Sequence, residues 1–246
     1  MSGTGIKRIL SFGRWAFSVE RPTYTIFREG VTAANRLAFA NNVVAFINEH
    51  ELEGVDFDWE YPAAPDLPDI PPEIIEEGRI ILTPASYCYL KGYPIKEISK
   101  IVDYIIYMTY DLHRQWDYGN KYSSEGCPEG NCLRSHVNIT DTHTALAMIT
   151  KAGVPARKVF CGIASYGRSF KMAEEGCTGP RCHFTGSNTV SDAAKGVCTD
   201  EGGYIAAAEI REIIGLRQDT DMMTETWHDG ASNSDILVYD GLEWVA

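Results

Sequence analysis

The sequence predicts an α/β fold with parallel strands, and a (β/α)8 TIM-type barrel fits it better than an open doubly wound sheet. Segments with strand and helix character alternate along the chain. Residues 104–110 and 157–165 are short apolar runs typical of buried parallel strands. Acidic residues end the strand predicted over 55–61, and barrel enzymes place their chemistry at such strand ends.

The spacing of apolar residues and the positions of turn residues set the bounds of each predicted element. In residues 35–49 apolar side chains recur every three or four positions, which predicts a helix with one apolar face. Gly153 and Pro155 end the helix predicted over 141–152. The proline-rich stretch after Tyr61 predicts a loop. The predicted elements are strands 8–17, 55–61, 80–86, 104–110, 157–165 and 236–239, and helices 35–49, 94–102, 141–152 and 205–214.

The composition argues against several classes of partner and cofactor. A net charge of −12 provides no basic footprint for nucleic acid or for an anionic membrane. No apolar stretch reaches the roughly 18 residues of a membrane span. No glycine-rich phosphate fingerprint follows a strand, so nucleotide binding has no support. The six histidines show no ligand spacing, and we expect solvated or hydrogen-bonded surface roles for them.

The seven cysteines favour an oxidising compartment. Cys127 and Cys132 bracket a Pro-Glu-Gly-Asn turn, and Cys177 and Cys182 bracket Thr-Gly-Pro-Arg. Such pairs predict local disulfides. Free thiols or a zinc site are the alternatives, but the spacing is wider than the usual Cys-x2-Cys of zinc sites.

The chain starts without a signal peptide. Residues 1–10 contain Lys7 and Arg8 but no apolar run after them. A secretory cysteine pattern without such a segment suggests that an N-terminal part is missing. Asn138 begins an Asn-Ile-Thr glycosylation acceptor, which matters if the chain is secreted.

Three carboxylates alternate along the strand predicted over 55–61. Asp56, Asp58 and Glu60 are two positions apart, so their side chains share one face of the strand. Like charges this close raise at least one pKa, and a carboxylic acid that stays protonated can serve as a general acid. A solvated acidic edge strand or a calcium site are the alternatives. The intervening apolar residues disfavour the first, and the absence of a Gly- and Asn-bearing turn disfavours the second.

Aromatic residues near the predicted strand ends suggest a sugar as substrate. Flat apolar faces with polar edges suit the faces of sugar rings. Each residue taken alone fits an ordinary core position equally well, and the set as a whole favours sugar binding. The residues are Trp15, Tyr61, Tyr110, Trp116, Tyr118 and Tyr166.

Four segments, in chain order, resemble the signature motifs of glycoside hydrolase family 18. The most specific is residues 53–62, which resembles the signature Asp-Gly-x-Asp-x-Asp-x-Glu. Residues 11–15 resemble the family's Ser-x-Gly-Gly-Trp strand, residues 108–111 its second signature, and residues 165–170 a later strand. The cysteine turns and residues 115–120 look closest to fungal class V chitinases.

The resemblance implies hydrolysis of β-1,4-linked N-acetylglucosamine in chitin or chitooligosaccharides, by a retaining mechanism without a protein nucleophile. It implies that Glu60 protonates the glycosidic oxygen while the substrate's acetamido oxygen attacks the anomeric carbon. Asp58 would bond the acetamido N–H, Asp56 would share a proton with Asp58, and Tyr110 would hold the acetamido oxygen. No cofactor, metal or obligate protein partner is implied, and the family is extracellular. The implied substrate-binding residues are Trp15, Tyr61, Met108, Asp111, Trp116, Tyr166 and Arg168.

The chain also departs from the family pattern. Glu53 replaces the leading aspartate, with a mild expected effect, and Arg14 replaces a glycine, where a long cation could pair with the acidic strand or misplace Trp15. The family's first two strands and last strand have no counterpart, and about ten residues replace a helix and strand before Thr83. A catalytically impaired chitin-binding lectin or an inactive fragment is therefore the alternative function. We expect an incomplete barrel over residues 1–167, a small α+β insertion over 168–234 and a truncated return towards the barrel over 235–246.

Overall fold

A computed structural model describes residues 5–61, 94–218 and 224–246. The predicted proline-rich loop and the strand predicted over 80–86 lie outside these residues. The chain divides into two compact units, and each is described by itself. The first comprises Met1–Tyr107 and Ile149–Phe160, and the second comprises Met108–Met148 and Cys161–Ala246.

The first unit is built on two parallel strands. Strand β1 (Ile9–Gly13) pairs with β2 (Gly54–Asp58) in register from Ile9 opposite Gly54 to Gly13 opposite Asp58. Parallel strands need a long crossover, which here contains helices. This pair confirms the predicted α/β class. The crossover helices are α1 (Trp15–Val19), α2 (Ile26–Gly30) and α3 (Arg36–Glu49).

The strand predicted over residues 8–17 is wrong beyond Gly13. Gly13 has a φ of 122°, and a Cβ atom there would lie 2.0 Å from the carbonyl oxygen of Asp58. The chain therefore turns at Gly13, and the Arg14 N–H donates to the Asp58 carbonyl at 2.8 Å. Trp15 and Phe17 consequently lie in helix α1 and not in a strand.

An aromatic cluster packs the apolar face of β2. Phe27 is 4% exposed, and its ring centroid lies 5.0 Å from that of Phe17, 5.9 Å from that of Phe57 and 5.4 Å from that of Trp59. Phe57 and Trp59 thus face the helices. Because side chains alternate along a strand, the carboxylates of β2 project from the opposite face, as predicted.

Helix α3 confirms the predicted bounds within one residue. None of its residues is buried, and Leu37 and Val44 are exposed among the described part of the chain. The strand predicted over 157–165 is likewise shorter and more exposed than expected, because Phe160 and Ile163 are both exposed. The first unit also contains α4 (Ile95–Ile101) and β3 (Ile105–Tyr107). Strand β4 (Val159–Cys161) pairs with β3, and its last residue belongs to the second unit.

The second unit is dominated by a four-stranded antiparallel sheet with the order β6-β10-β9-β8. Its core includes Phe170, Phe184 and Trp244, each no more than 2% exposed. Helix α5 (Ile139–Lys151) begins in this unit, and α6 (Ala207–Gln218) lies wholly within it. The strands are β5 (Tyr166–Gly167), β6 (Ser169–Lys171), β7 (Ile205–Ala206), β8 (Thr224–Asp229), β9 (Ser234–Tyr239) and β10 (Glu243–Val245).

The described strands form four separate sheets and not one closed sheet. Strand β9 confirms the strand predicted over 236–239, and the sheet also joins β6 to β10, a strand that the sequence did not predict. The boundaries predicted at residues 167 and 234 stay predictions. None of the helices described is long and apolar enough to cross a membrane.

Both predicted disulfides are confirmed. Cys127 bonds Cys132 and Cys177 bonds Cys182, each across five positions. Both pairs close loops in the second unit and are therefore compatible with the oxidising compartment that the spacing suggested.

Candidate active site

The acidic face of β2 carries the first group of candidate residues. Ser11 lies directly opposite Asp56 in the parallel pair, and its hydroxyl donates to Asp56 Oδ2 at 2.7 Å. Burial, together with the negative charge of Asp56, raises the pKa of Asp58 above its ordinary value. The sequence predicted a raised pKa for at least one of these carboxyl groups, and Asp58 is such a group.

Glu60 lies just beyond the end of β2. Its backbone N–H donates to Ser18 Oγ at 3.0 Å, and the peptide bond from Glu60 to Tyr61 is cis. The carbonyl of Tyr61 accepts a hydrogen bond from Arg28 Nη2 at 3.0 Å. The backbone on both sides of the Glu60 side chain is therefore held by buried groups of α1 and α2.

The two residues that depart from the family pattern are also in this unit. Glu53 accepts hydrogen bonds from the backbone and the guanidinium of Arg8, so it ties the starts of β1 and β2 together. Arg14 is exposed and forms no ion pair among the described residues, so it does not pair with the acidic strand. Trp15 is 49% exposed, and its ring centroid lies 6.3 Å from that of Tyr61.

In the second unit, Asp111 is the centre of a dense polar network. Arg168 forms a bidentate pair with it, with Nε at 2.7 Å from Oδ1 and Nη2 at 2.7 Å from Oδ2. The Tyr166 hydroxyl also donates to Oδ1, at 2.7 Å. Burial opposes ionisation, but the neighbouring donors outweigh it and hold the pKa of Asp111 well below its ordinary range. Burial and the bond to Asp111 together raise the pKa of Tyr166, so this hydroxyl keeps its proton.

Both ring nitrogens of His136 contact backbone groups of this network. It is 1% exposed, its Nδ1 accepts the Asp111 N–H at 3.1 Å, and its Nε2 is 3.2 Å from the Tyr166 carbonyl. The tautomer that satisfies both contacts is neutral, with the proton on Nε2. The Asp111 Oδ1 atom also lies 3.5 Å from Nδ1, so His136 is a direct neighbour of the carboxylate that Arg168 and Tyr166 bind.

His113 is the other buried histidine. Its Nδ1 is 2.9 Å from Asp117 Oδ2 and its Nε2 is 3.1 Å from Asp141 Oδ2. Burial alone would lower the pKa of His113, but the two carboxylates outweigh it and raise the pKa to about 9. The expectation of surface histidines is thus wrong for His113 and His136, which are 8% and 1% exposed. No ligand spacing exists in the sequence, so only the structure could reveal these hydrogen bonds.

Aromatic and cationic side chains surround the network. Trp116 is 42% exposed, with the Arg114 guanidinium 4.5 Å and that of Arg168 5.9 Å from its ring centroid. The Tyr166 ring lies 6.2 Å from Tyr110 and 4.7 Å from Tyr204, centroid to centroid. This surface combines flat apolar faces with fixed charges, which suits a carbohydrate.

The predicted site residues fall into two groups, one in each unit. The first unit holds the three carboxylates with two aromatic residues, and the second holds the network around Asp111, with Met108 half-buried just after β3. Sequence reasoning missed the supporting residues, because, apart from Ser11 in the motif over 11–15, none of them belongs to a recognisable pattern. Those residues are Ser11, Ser18, Arg28, Arg114, His136 and Tyr204.

Comparison with known families and proteins gives consistent matches. The model of glycosyl hydrolases family 18 matches residues 1–246. "Secreted chitinase LysM12" of Penicillium expansum is 49% identical over 99% of this chain, and "Probable chitinase LysM18" of the same organism is 52% identical over 98%. The chain spans only 17% and 18% of the length of these two relatives.

Solved structures show a matching fold. The Group IV chitinase of Ostrinia furnacalis, in complex with allosamidin, has a TM-score of 0.73 at 22% identity, covering 98% of this chain and 66% of that one. The class V chitinase of tobacco has a TM-score of 0.66 at 19% identity, covering 98% and 68%. At such identities the likeness concerns the fold alone.

Proposed function

Because the chain belongs to the glycosyl hydrolases of family 18, we propose that it hydrolyses the β-1,4 linkages of N-acetylglucosamine polymers such as chitin. The observation that carries this proposal is the end of β2, where Asp56 and Asp58 share one face and Glu60 follows on a fixed backbone. For the fold we propose a (β/α)8 barrel, supported by the parallel pair of β1 and β2 and by the likeness to solved chitinases.

In the proposed mechanism Glu60 is the general acid. It gives its proton to the glycosidic oxygen as the bond to the anomeric carbon breaks, and the acetamido oxygen of the substrate forms a new bond to that carbon. The product of this step is an oxazolinium ion. The Glu60 carboxylate then takes a proton from the water that attacks the anomeric carbon, and the bond from this carbon to the acetamido oxygen breaks. Because the anomeric carbon is inverted twice, its configuration is retained.

Asp58 stabilises the charge that this mechanism creates. The oxazolinium carries a positive charge, and a carboxylate that accepts the acetamido N–H both orients the group and balances that charge. The pKa of Asp58 is raised by burial and by the negative charge of Asp56 beside it, and this supports a proton shared by the pair. The hydroxyl of Ser11 donates to Asp56 and so orients its carboxyl group.

The second unit supplies sugar-binding groups in this proposal. The lowered pKa of Asp111 keeps it ionised, and the bidentate pair with Arg168 fixes its orientation, so it can accept a hydrogen bond from a sugar hydroxyl. Trp116 is exposed enough to stack on a sugar ring. Tyr110 has the role that the resemblance implies, a hydroxyl that orients the acetamido oxygen. Trp15, Tyr61, Met108 and Tyr166 complete the proposed substrate-binding set.

We place the protein outside the cell. Two local disulfides in the second unit favour an oxidising compartment, and one relative is named a secreted chitinase. Mass spectrometry of the natural protein under non-reducing conditions tests this, and reduced thiols at Cys127 and Cys132 would contradict it.

Turnover of a fluorogenic chitooligosaccharide tests the proposed activity. Glu60→Gln should lower kcat by about 10²–10⁴-fold, because the amide cannot give a proton to the leaving oxygen. Glu53→Gln is the matched control, since it makes the same chemical change at the start of β2, where the side chain contacts Arg8. It should leave kcat within about twofold.

Binding of chitotetraose, followed by tryptophan fluorescence, separates the alternatives. Hydrolysis without dependence on Glu60 would overturn the assignment of the acid. A folded protein that binds chitotetraose without turning it over would be a lectin-like binder and not an enzyme.

A further inference from the structure

We propose that Ser18 and Arg28 are positioning residues for Glu60, which together fix the backbone that carries the acid. This inference rests on the proposed role of Glu60 in hydrolysis. Neither residue touches the reacting atoms in the proposed mechanism. They act through hydrogen bonds to the Glu60 N–H and the Tyr61 carbonyl, which are 3.0 Å each.

The Ser18 hydroxyl is committed to one arrangement. Its proton is donated to the Arg14 carbonyl, one helical turn earlier, at 2.9 Å. A hydroxyl has only one proton, so towards Glu60 it can act only as an acceptor, and the Glu60 N–H donates to it. Ser18 is 1% exposed, and water therefore does not compete for this bond.

Arg28 binds the carbonyl of Tyr61, the residue that follows Glu60. It is 1% exposed and forms no ion pair among the described residues, which is costly for a cation unless its donors are used. The two terminal nitrogens are used on backbone carbonyls: Nη1 donates to Ser18 at 2.9 Å and to Tyr24, and Nη2 donates to Tyr61, whereas Nε has no partner among the described residues. The guanidinium also lies 5.7 Å from the centroid of the Trp59 ring.

These contacts form one connected unit, which we call the Ser18–Arg28 bracket. Arg28 binds the Ser18 carbonyl, and the Ser18 hydroxyl binds Glu60, so a shift of either residue moves the other. The Arg14 N–H also donates to the Asp58 carbonyl at 2.8 Å. Groups in or next to α1 and α2 thus bind the backbone at three points between Asp58 and Tyr61: the Asp58 carbonyl, the Glu60 N–H and the Tyr61 carbonyl.

The bracket matters for catalysis because proton transfer depends on small distances. With the backbone fixed on both sides, the Glu60 carboxyl moves only by its own side-chain rotations. A misplacement of about 1 Å can cost about 10²-fold in rate even when substrate still binds. Loss of the bracket should therefore lower kcat while substrate affinity stays nearly constant.

Ser99 provides a matched control. It is 4% exposed, and its hydroxyl donates to the Lys96 carbonyl three positions earlier at 2.7 Å, in another helix of the same unit. Ser18→Ala and Ser99→Ala therefore each remove a buried hydroxyl bonded to helix backbone, but only the first removes an acceptor of Glu60. Ser18→Thr keeps the hydroxyl and is the conservative rescue, while Arg28→Lys keeps the charge but loses the fork that reaches several carbonyls.

The test measures kcat, the affinity for chitotetraose and the melting temperature of each purified variant. We expect Ser18→Ala and Arg28→Lys to lower kcat per folded molecule about tenfold or more, with affinity within about twofold of wild type. Ser18→Thr should recover much of the loss, and Ser99→Ala should leave kcat unchanged. A Ser18→Ala variant with wild-type kcat, or one that loses kcat only as much as Ser99→Ala, would overturn the inference.

Hydrogen exchange of the Glu60 amide gives a readout that does not depend on activity. Exchange should be slow in the wild type and in Ser99→Ala, and faster in Ser18→Ala because the acceptor is gone. If the wild type does not hydrolyse chitooligosaccharides, the proposed function fails, and exchange alone then decides on the bracket. Unchanged exchange in Ser18→Ala overturns it, and faster exchange supports it.

Discussion

Replacement of Arg14 by glycine should stabilise this protein. Arg14 has φ 107° and ψ 171°, a backbone conformation that is accessible essentially to glycine alone. Its N–H and carbonyl are both used, by the Asp58 carbonyl and the Ser18 hydroxyl, so the surrounding structure holds it in this conformation. Glycine would keep both bonds and relieve the strain of a non-glycine residue in this conformation.

The size of the effect follows from two opposing terms. Such a strained conformation costs roughly 1–3 kcal/mol. Glycine gives back about 0.4–1 kcal/mol, because it is more flexible in the unfolded chain. The difference is a net stabilisation of about 1 kcal/mol, which corresponds to a rise in melting temperature of about 2–4 °C for a protein of this size.

Arg14→Ala is the matched control, because it removes the guanidinium and keeps the Cβ atom. Arg14 is exposed and forms no ion pair among the described residues, so alanine should change stability by no more than about 0.5 kcal/mol. Circular dichroism melts and urea titrations of both variants measure the difference. If Arg14→Gly is no more stable than Arg14→Ala, the backbone carries no strain at this position and the reasoning is refuted.

Three further predictions concern the second unit. The pKa of His113 is raised to about 9, so protonated His113 contributes at most about 3 kcal/mol to the free energy of unfolding. This contribution should be complete below pH 6.5 and should be lost as the pH rises through 9. Urea titrations at pH 6 and pH 10 should show the loss, and His113→Gln should abolish it. The Asn138 side chain accepts the Thr140 N–H at 2.8 Å, so Asn138→Ala should cost about 1 kcal/mol in thermal melts whereas Asn138→Asp, which keeps the cap, should cost little. Arg168→Met should destabilise by about 1–3 kcal/mol, because it leaves the half-buried Asp111 carboxylate without its bidentate partner, and equal melting temperatures for Arg168→Met and wild type would contradict this.

The sequence predicted features whose causes are local. Alternation along β2 predicted the shared face of Asp56 and Asp58, and a run of apolar residues at helical spacing predicted α3 within one residue. The disulfides were predictable because their cysteines are only five positions apart. The motifs also predicted the family, since several residues at fixed spacing rarely recur by chance.

Burial was the first thing that local patterns could not determine. The apolar run over 157–165 has the composition of a buried strand, yet Phe160 and Ile163 are exposed. No residue of α3 is buried either, and Val44 on its apolar face is exposed. Periodicity predicts which side chains share a face, but the presence of a neighbour on that face depends on the rest of the fold.

Only the tertiary structure decided which residues support the candidate site. Ser18 meets Glu60 across 42 positions, Arg28 meets Tyr61 across 33, and His136 meets Asp111 across 25. The turn at Gly13 also requires glycine, because the Asp58 carbonyl, 45 positions later, occupies the space of a side chain. A local pattern cannot encode such contacts, because the free energy of a buried hydrogen bond depends on a partner that only the folded chain brings within 3 Å.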